Sequence, residues 1–257
     1  MKTVAHKNLS ILIAGESCAV TNLILKGSRA YMTGTYEEGQ KPIVNALLSK
    51  GHDVTYMRNH DATLSFPSSQ EELRTYDVVI LSDIGADTLL LHPDTVLRSK
   101  VTPNRLTLLE EYVRGGGGLL MIGGYMSFAG LDGMARYANT PLASVLPVLV
   151  YPYDDRIETP EGASPQVLDG RHPVTSSLPK KFPAFLGYNK VVAKVDATVL
   201  MKIRDDPFLV LGESGQGRTS AFTSDCSPHW ATNEFTSSDF YPKLWDALCL
   251  WLAGILN

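Results

Sequence analysis

The sequence predicts an α/β fold with a mostly parallel sheet. Three observations favour it. Continuous apolar runs at residues 9–14, 77–82 and 119–122 are typical of strands buried on both faces. Segments with helical spacing alternate with these runs. Short runs separated by turn residues fill most of the chain after about residue 145. Each apolar run ends at a small or acidic residue, which predicts where the strands stop.

Helices are predicted at residues 42–50, 103–114 and 241–252. In the first, Pro42 suits the opening turn and Gly51 a C-terminal cap. Asn104 or Thr102 can cap the second. The third carries an apolar face that should pack on the sheet. The strand–helix–strand order implies right-handed crossovers between parallel strands.

The C-terminal half has a different pattern. The turn signals at 205–207 and 213–217 indicate antiparallel hairpins between the surrounding apolar runs. We therefore predict a flavodoxin-like three-layer sandwich, with a mostly parallel sheet and an antiparallel extension in the C-terminal half. No linker or repeat divides the chain, so residues 1–257 are predicted to form a single domain.

Composition excludes several function classes. The 257 residues carry a formal net charge of −4, so clustered basic residues for nucleic acid are not expected. Three cysteines, Cys18, Cys226 and Cys249, fit neither a zinc motif nor a disulfide framework. The segment from Met1 to Asn8 lacks the apolar run of a signal peptide, and no stretch is long enough to span a membrane. We expect a cytoplasmic protein without membrane or nucleic-acid partners, and no bound metal or cofactor.

The carboxyl edge of the sheet is the predicted ligand site, because open parallel sheets bind ligands beyond their strand ends. Four strand ends supply polar or small groups there. The residues that we expect to line a common crevice are Glu16, Ser17, Asp83, Gly124, Tyr125, Met126, Ser127, Asp225, His229 and Trp230.

The turn at residues 123–127 is the most informative of these ends. A sharp strand-to-helix turn strains and exposes its apex residue, which the strand alignment identifies as Tyr125. Tyr125 is then a hydrogen-bond or proton donor. The alternative is a packed loop aromatic, since tyrosine is a poor nucleophile at neutral pH.

Asp225 and His229 are four residues apart, a spacing at which a carboxylate can orient an imidazole. Glu16 could serve as a general acid or base if burial raises its pKa. With Asp83 added, a divalent metal site is conceivable. Cys226 and His229 could instead form a nucleophile–base pair. Capping roles in loops are the simpler interpretation of the same residues.

Longer motifs resemble a known family. The glycine-rich approach at residues 114–124, the segment at 215–225, and the short stretches at 15–17, 81–85, 140–142, 151–155 and 227–230 look like the class I glutamine amidotransferase-like superfamily. The chain resembles most the bacterial group described as "putative glutamine amidotransferase". The resemblance covers nearly the whole chain and implies the same fold.

One departure from the family pattern changes the functional expectation. Amidotransferases of this superfamily carry a Cys at the apex of a G-x-C-x-G turn, with a late H-x-E. This chain has Tyr125 at the apex, and Asp225 stands near the position of the family His. Without a thiolate to form the thioester, glutaminase activity by that route is not expected.

Three hypotheses follow. The first is a hydrolase that acts on a small polar substrate through Glu16, Asp83, Tyr125, Asp225 and His229. The second is a non-catalytic protein that binds a small molecule in the same crevice, and the third is an oligomeric scaffold. Residues 22–40 are long for one connection, so they should fold over the crevice as a lid or contact a neighbouring subunit of a homo-oligomer.

Overall fold

A computed structural model describes residues 7–257. Strands within that range are β1 Ser10–Gly15, β2 Ser17–Lys26, β3 Arg29–Glu38, β4 Asp53–Met57, β5 Val78–Ser82, β6 Gly118–Ile122, β7 Val148–Leu149, β8 Arg156–Ala163, β9 Gln166–Val167, β10 Phe185–Asn189, β11 Val192–Ala193, β12 Thr198–Ile203, β13 Asp206–Ser214 and β14 Gly217–Phe222. Helices are α1 Lys41–Ser49, α2 Asn59–Ser65, α3 Gln70–Leu73, α4 Ala86–Leu90, α5 Pro93–Arg98, α6 Arg105–Arg114, α7 Leu142–Val145, α8 Asn233–Thr236 and α9 Tyr241–Leu252.

The main sheet has eight strands in the order β4-β1-β5-β6-β14-β13-β12-β9. The first five pair in parallel, and the rest pair antiparallel through the hairpins of β12, β13 and β14. The parallel strands follow the 2-1-3-4-5 order of flavodoxin-like folds, whose strand order reverses between β1 and β5. The predicted fold class, including the antiparallel extension, is therefore confirmed.

Two apolar layers cover the sheet because the side chains of each strand alternate between its faces. Ile11 and Ile13 face one layer with Leu47 of α1 and Leu248 of α9. Leu12 and Ala14 of the same strand face the other layer, which contains residues of α3, α4 and α6. This arrangement is the three-layer sandwich, and it holds the ends of β1 and β5 rigidly at one edge.

Residues 17–38 form a long hairpin, in which β2 pairs with β3 over their whole length around the two-residue turn Gly27-Ser28. Residues 22–40, which the sequence marks as long for one connection, therefore consist mostly of the two strands of a regular hairpin. Gly at the first of two turn positions favours a tight hairpin, and that signal was present in the sequence. The hairpin returns the chain to the carboxyl end of β1, where Gly39 N donates to Glu16 O at 2.8 Å.

Within the described residues, no helix combines the length and the apolar character that crossing a bilayer requires. The expectation about a signal peptide rests largely on residues 1–6, which lie outside that range.

Candidate functional site

Two acidic residues stand at the reversal of strand order. Glu16 follows β1 and Asp83 follows β5, so their side chains start from adjacent strand ends. Both have left-handed backbone conformations, with φ of 49° and 45°. A non-glycine residue pays about 1–3 kcal/mol for such a conformation, which persists where the surrounding structure fixes it and is concentrated at functional sites. This edge is where a flavodoxin-like sheet binds ligands.

Glu16 is almost completely buried, with 5% of its surface exposed. Ser82 Oγ donates to Oε1 at 2.5 Å and Ser227 Oγ donates to Oε2 at 2.8 Å. Burial, followed by the charges of Asp225 and Asp83, raises the pKa of Glu16 to about 8. Glu16 therefore holds its proton at neutral pH despite its two hydrogen-bond donors.

Asp83 is held by the turn that follows β6. Met126 N donates to Asp83 Oδ1 at 2.6 Å, and Asp83 N donates to Ser127 Oγ at 3.1 Å. Ser127 Oγ also donates to Ile122 O at 2.6 Å, which fixes the turn to its own strand. Burial and then the charge of Asp225 raise the pKa of Asp83 to about 6. Met126 and Ser127 thus position Asp83.

Asp225 and His229 form the predicted pair. His229 Nδ1 lies 2.8 Å from Asp225 Oδ2, and Trp230 N donates to the same oxygen at 3.3 Å. The hydrogen bond to Asp225 raises the pKa of His229, while burial raises the pKa of Asp225. The carboxylate is buried, whereas 47% of the imidazole surface remains exposed. Asp225 therefore orients a ring that is still accessible from the crevice.

A cavity of about 410 Å³ joins these groups. Six of the predicted site residues line it, namely Glu16, Ser17, Asp83, Tyr125, Asp225 and His229. Gly124, Met126, Ser127 and Trp230 are adjacent to the cavity and are not among its lining residues. Its other lining residues are Cys18, Glu37, Glu38, Gly39, Ser227 and Pro228.

The turn after β6 differs from the predicted elbow. No α-helix follows it directly, and the positive φ falls on Gly124, at 142°, instead of on Tyr125. Asn189 holds the turn, because Gly124 N donates to its Oδ1 at 2.9 Å and its Nδ2 donates to Gly124 O at 3.2 Å. The expected strained apex at Tyr125 was therefore wrong, since a glycine accommodates the sharp bend.

Tyr125 instead belongs to an aromatic wall. Its ring packs edge-on against His229 and Trp230, with centroids 4.6 and 5.5 Å away. Its hydroxyl donates to Glu158 Oε1 at 3.1 Å, and the other Glu158 oxygen accepts from Trp230 Nε1 at 3.0 Å. The Arg156 guanidinium lies 4.8 Å over the Tyr125 ring. Tyr125 and Trp230 thereby both pack against the imidazole of His229.

Comparison with known proteins identifies the family. A family model described as "Putative glutamine amidotransferase", of the class I glutamine amidotransferase-like type, matches residues 10–254. The chain belongs to this family. The predicted resemblance is thereby confirmed.

Two solved structures of the same kind are close matches. Cytoplasmic protein STM3548 from Salmonella typhimurium is 45% identical, with a TM-score of 0.92, and the match covers 94% of this chain and 98% of that one. Cytoplasmic protein STM1381 from Salmonella typhimurium LT2 is 39% identical, with a TM-score of 0.91 and coverages of 95% and 99%. A search of curated proteins gave no significant match.

A more distant match shows the fold alone. A ThuA-like protein from Parabacteroides merdae ATCC 43184 is 13% identical, with a TM-score of 0.55 and coverages of 96% and 90%.

The thiols of this amidotransferase-like chain do not form a nucleophile–base pair with His229. Cys226 is fully buried, with its sulfur 3.6 Å from Ser82 Oγ, and burial raises its pKa well above the ordinary value. His229 directs Nδ1 to Asp225 instead. Cys18 lines the cavity, but burial and the charges of Glu37 and Asp83 raise its pKa also. Both environments disfavour the thiolate that acyl transfer requires.

The carboxylates also lack the arrangement of a metal centre. Among residues 7–257, no group of three or more His, Cys, Asp or Glu side chains could hold a metal ion.

Sequence reasoning missed two parts of this amidotransferase-like site. Glu37 and Glu38 reach the cavity because the hairpin returns along β3, and only the Gly27-Ser28 turn signalled that return. Ser227 binds Glu16 from a loop more than 200 positions away in sequence. No local pattern marks that contact, since it depends on how β14 is placed in the sheet.

Proposed function

We propose that this amidotransferase-like chain hydrolyses a small polar substrate by general acid–base catalysis and is not a glutaminase. The proposal rests on one observation. A carboxylate-oriented imidazole, His229 on Asp225, opens into the same cavity as the buried carboxylic acid Glu16. Two titratable groups whose environments favour opposite proton-transfer roles are typical of acid–base catalysis.

His229 is the proposed base. With Nδ1 donating to Asp225, the neutral imidazole leaves Nε2 as a proton acceptor. A water molecule gives a proton to Nε2 as its oxygen forms a bond to the electrophilic carbon of the substrate. The aromatic wall of Tyr125 and Trp230 keeps the ring in place during this step.

Glu16 is the proposed acid. As the bond to the leaving group breaks, the carboxyl proton of Glu16 moves to the departing nitrogen or oxygen. The resulting Glu16 carboxylate accepts hydrogen bonds from Ser82 and Ser227. Exchange with solvent then returns a proton to Glu16 and removes one from His229, which restores the starting state. Water takes the place of the thiol nucleophile, consistent with the protonated state of Cys18 and Cys226.

The cavity wall restricts the substrate class. Glu37, Glu38 and Asp83 add acidic side chains beside the catalytic pair. Bringing a carboxylate or phosphate into this low-dielectric site would cost Coulomb energy. Neutral or cationic amides and esters are the favoured substrates. We also infer a cytoplasmic location, which is supported by the description of the two Salmonella relatives as cytoplasmic proteins.

The test is a hydrolysis screen with purified protein. Neutral and cationic small amides and esters are assayed beside glutamine. The proteins compared are wild type, Glu16→Gln, His229→Ala and the control His92→Asn, which retains an N-capping side chain and does not line the cavity. We expect turnover of a neutral or cationic substrate that falls at least 100-fold in the first two variants and is unchanged in the control. Ammonia release from glutamine that requires Cys18 would contradict the proposal.

A second function is favoured by the aromatic wall. Tyr125 and His229 line a cavity that could bind a ligand without chemistry, and Trp230 and Arg156 contact the Tyr125 ring. If the screen yields no turnover, but a neutral or cationic compound raises the melting temperature of wild type and not that of His229→Ala, the chain is a binding protein.

A further inference from the structure

The hairpin of β2 and β3 extends from the edge of the domain with both long edges unpaired. Among the described residues, its strands make backbone ladder bonds only with each other. Its ties to the body lie at its base, where Ser17 accepts hydrogen bonds from Asn59, Tyr36 contacts His60, and Glu38 pairs with Arg58. A two-stranded ribbon is marginally stable alone, and open edges are templates for pairing with another chain.

The outer half of this hairpin is apolar on the face that carries Leu23, Leu25 and Met32. These side chains are 64%, 70% and 72% exposed. They lie together because Leu23 pairs with Met32, and Leu25 pairs with Ala30. So much exposed apolar surface on an unpaired ribbon indicates a protein interface.

We propose that β3 pairs antiparallel with β3 of a second copy of this chain, around a twofold axis at Thr33. The two hairpins then form one four-stranded sheet. A twofold contact of this kind is self-complementary, since the same strand supplies both sides.

The sequence of β3 fits this register residue by residue. Arg29 of each copy lies opposite Glu37 of the other, and Tyr31 lies opposite Thr35. On the other face Ala30 lies opposite Tyr36, and Met32 lies opposite Gly34, so that a large side chain meets a small residue at each position. Opposite charges, aromatic–β-branched pairs and Thr–Thr pairs stabilise neighbouring strands.

Alternative registers fit less well. Along an antiparallel strand, every second residue directs its N–H and C=O away from the partner already present. In the Thr33 register, even-numbered residues of one copy lie opposite even-numbered residues of the other. The N–H and C=O groups that each β3 directs away from its own β2 therefore meet each other. A register shifted by one residue would pair Arg29 with Glu38. It would place the outward N–H and C=O groups of one copy opposite residues of the other copy whose groups point towards β2. Strand β2 carries Lys26 as its single charged residue, so its self-pairing joins no unlike charges.

This pairing would also complete the rim of the cavity. Glu37 lines the cavity and is exposed. In the proposed register, Arg29 of the other copy lies opposite it. Each active cavity would then include a cation from the second chain, which offsets part of the acidic charge at its mouth.

Charge reversal tests the dimer. Light scattering and sedimentation measure the mass in solution over a range of protein concentrations. The proteins compared are wild type, Arg29→Glu, Glu37→Arg and the double variant. We expect a wild-type dimer, and a dissociation constant raised about tenfold or more in each single variant, because two ion pairs become two like-charge pairs. The double variant should regain the dimer, and the control Lys26→Glu should keep it. A wild-type monomer at all concentrations, or single variants that dimerise as tightly as wild type, would refute the proposal.

Cysteine cross-linking tests the register. In a Cys18→Ser background, Thr33→Cys should form a disulfide-linked dimer on mild oxidation, since opposed residues have Cα atoms about 4.5–5.5 Å apart. The matched control Thr35→Cys should not, because its two copies would be about 13 Å apart along the strands. Cross-linking of the second variant and not the first would overturn the Thr33 axis.

Discussion

Ser227 Oγ donates a 2.8 Å hydrogen bond to Glu16 Oε2, joining the loop after the last strand of the sheet to the end of the first. The two residues are 211 positions apart in sequence. Together with Ser82, this contact sets the hydrogen bonding of a carboxyl that is removed from water. The hydrogen bond from Ser227 favours the ionised form of Glu16, whereas burial favours the protonated form.

Replacing Ser227 with Ala should therefore raise the pKa of Glu16 further. If Glu16 is the general acid, activity requires its protonated form, and the alkaline limb of kcat/KM, set near pH 8 in wild type, should move to higher pH. The pH–rate profile measures this shift. An exposed serine replacement, Ser176→Ala, should leave the limb in place, and a limb that moves to lower pH in Ser227→Ala would contradict the assignment.

Glu16→Gln should make the protein more stable at alkaline pH. The folded-state pKa of about 8 lies above the ordinary value of 4.5, so the stability contributed by protonated Glu16 is complete below about pH 4.5 and is lost as pH rises through 8. Glutamine cannot ionise and avoids this loss. At 1.36 kcal/mol per pKa unit, the free energy of unfolding of Glu16→Gln relative to wild type should be roughly 3–5 kcal/mol larger at pH 9 than at pH 5.

Urea unfolding at pH 5 and pH 9 measures that difference. Glu71→Gln is the matched control, because hydrogen bonds at the start of α3 lower the pKa of this exposed carboxyl. The control should show no alkaline gain. Equal free energies of unfolding for wild type and Glu16→Gln at pH 9 would show that Glu16 ionises without cost.

Asp225→Asn should lower the pKa of His229, because the hydrogen bond to Asp225 is the largest influence that raises it. It should also lower the pKa of Glu16, since one of the charges that disfavours its ionisation is removed. NMR titration of the histidine ring protons reports the first change, with His172 as an internal reference. If the pair is catalytic, turnover should fall about 10²–10⁴-fold as the ring loses its tautomer. An unchanged His229 titration would rule out the coupling.

The sheet and its main helices could be predicted because their patterns are local. Strands β1, β5 and β6 are buried on both faces and read as unbroken apolar runs. Helix α9 was predicted with its observed bounds from one apolar stripe. The rule that ligands bind beyond strand ends then located Glu16 and Asp83 without any further information.

The rest of the site depends on contacts that no local pattern records. Strand β8 supplies Glu158 and strand β10 supplies Asn189, yet β8 contains Pro160 and Gly162 and lacks regular apolar alternation. Its pairing with β10 spans the intervening residues and depends on the finished fold. The positive φ of Glu16 and the fixation of Gly124 by Asn189 are likewise consequences of tertiary structure.

Gly39→Ala should disrupt the site by steric overlap alone. A Cβ at this position would lie 2.8 Å from both Glu16 Oε2 and Ser227 Oγ, closer than real Cβ contacts allow. The carboxyl must therefore move from at least one of its donors, at a cost of about 1–3 kcal/mol in the free energy of unfolding. Gly170→Ala is the matched control, since no atom lies within 4 Å of its added Cβ. Thermal and urea unfolding compare the two variants, and binding or turnover of the screened compounds should be impaired in Gly39→Ala alone. Equal stability and equal function in both would mean that Glu16 does not need the contact with Ser227.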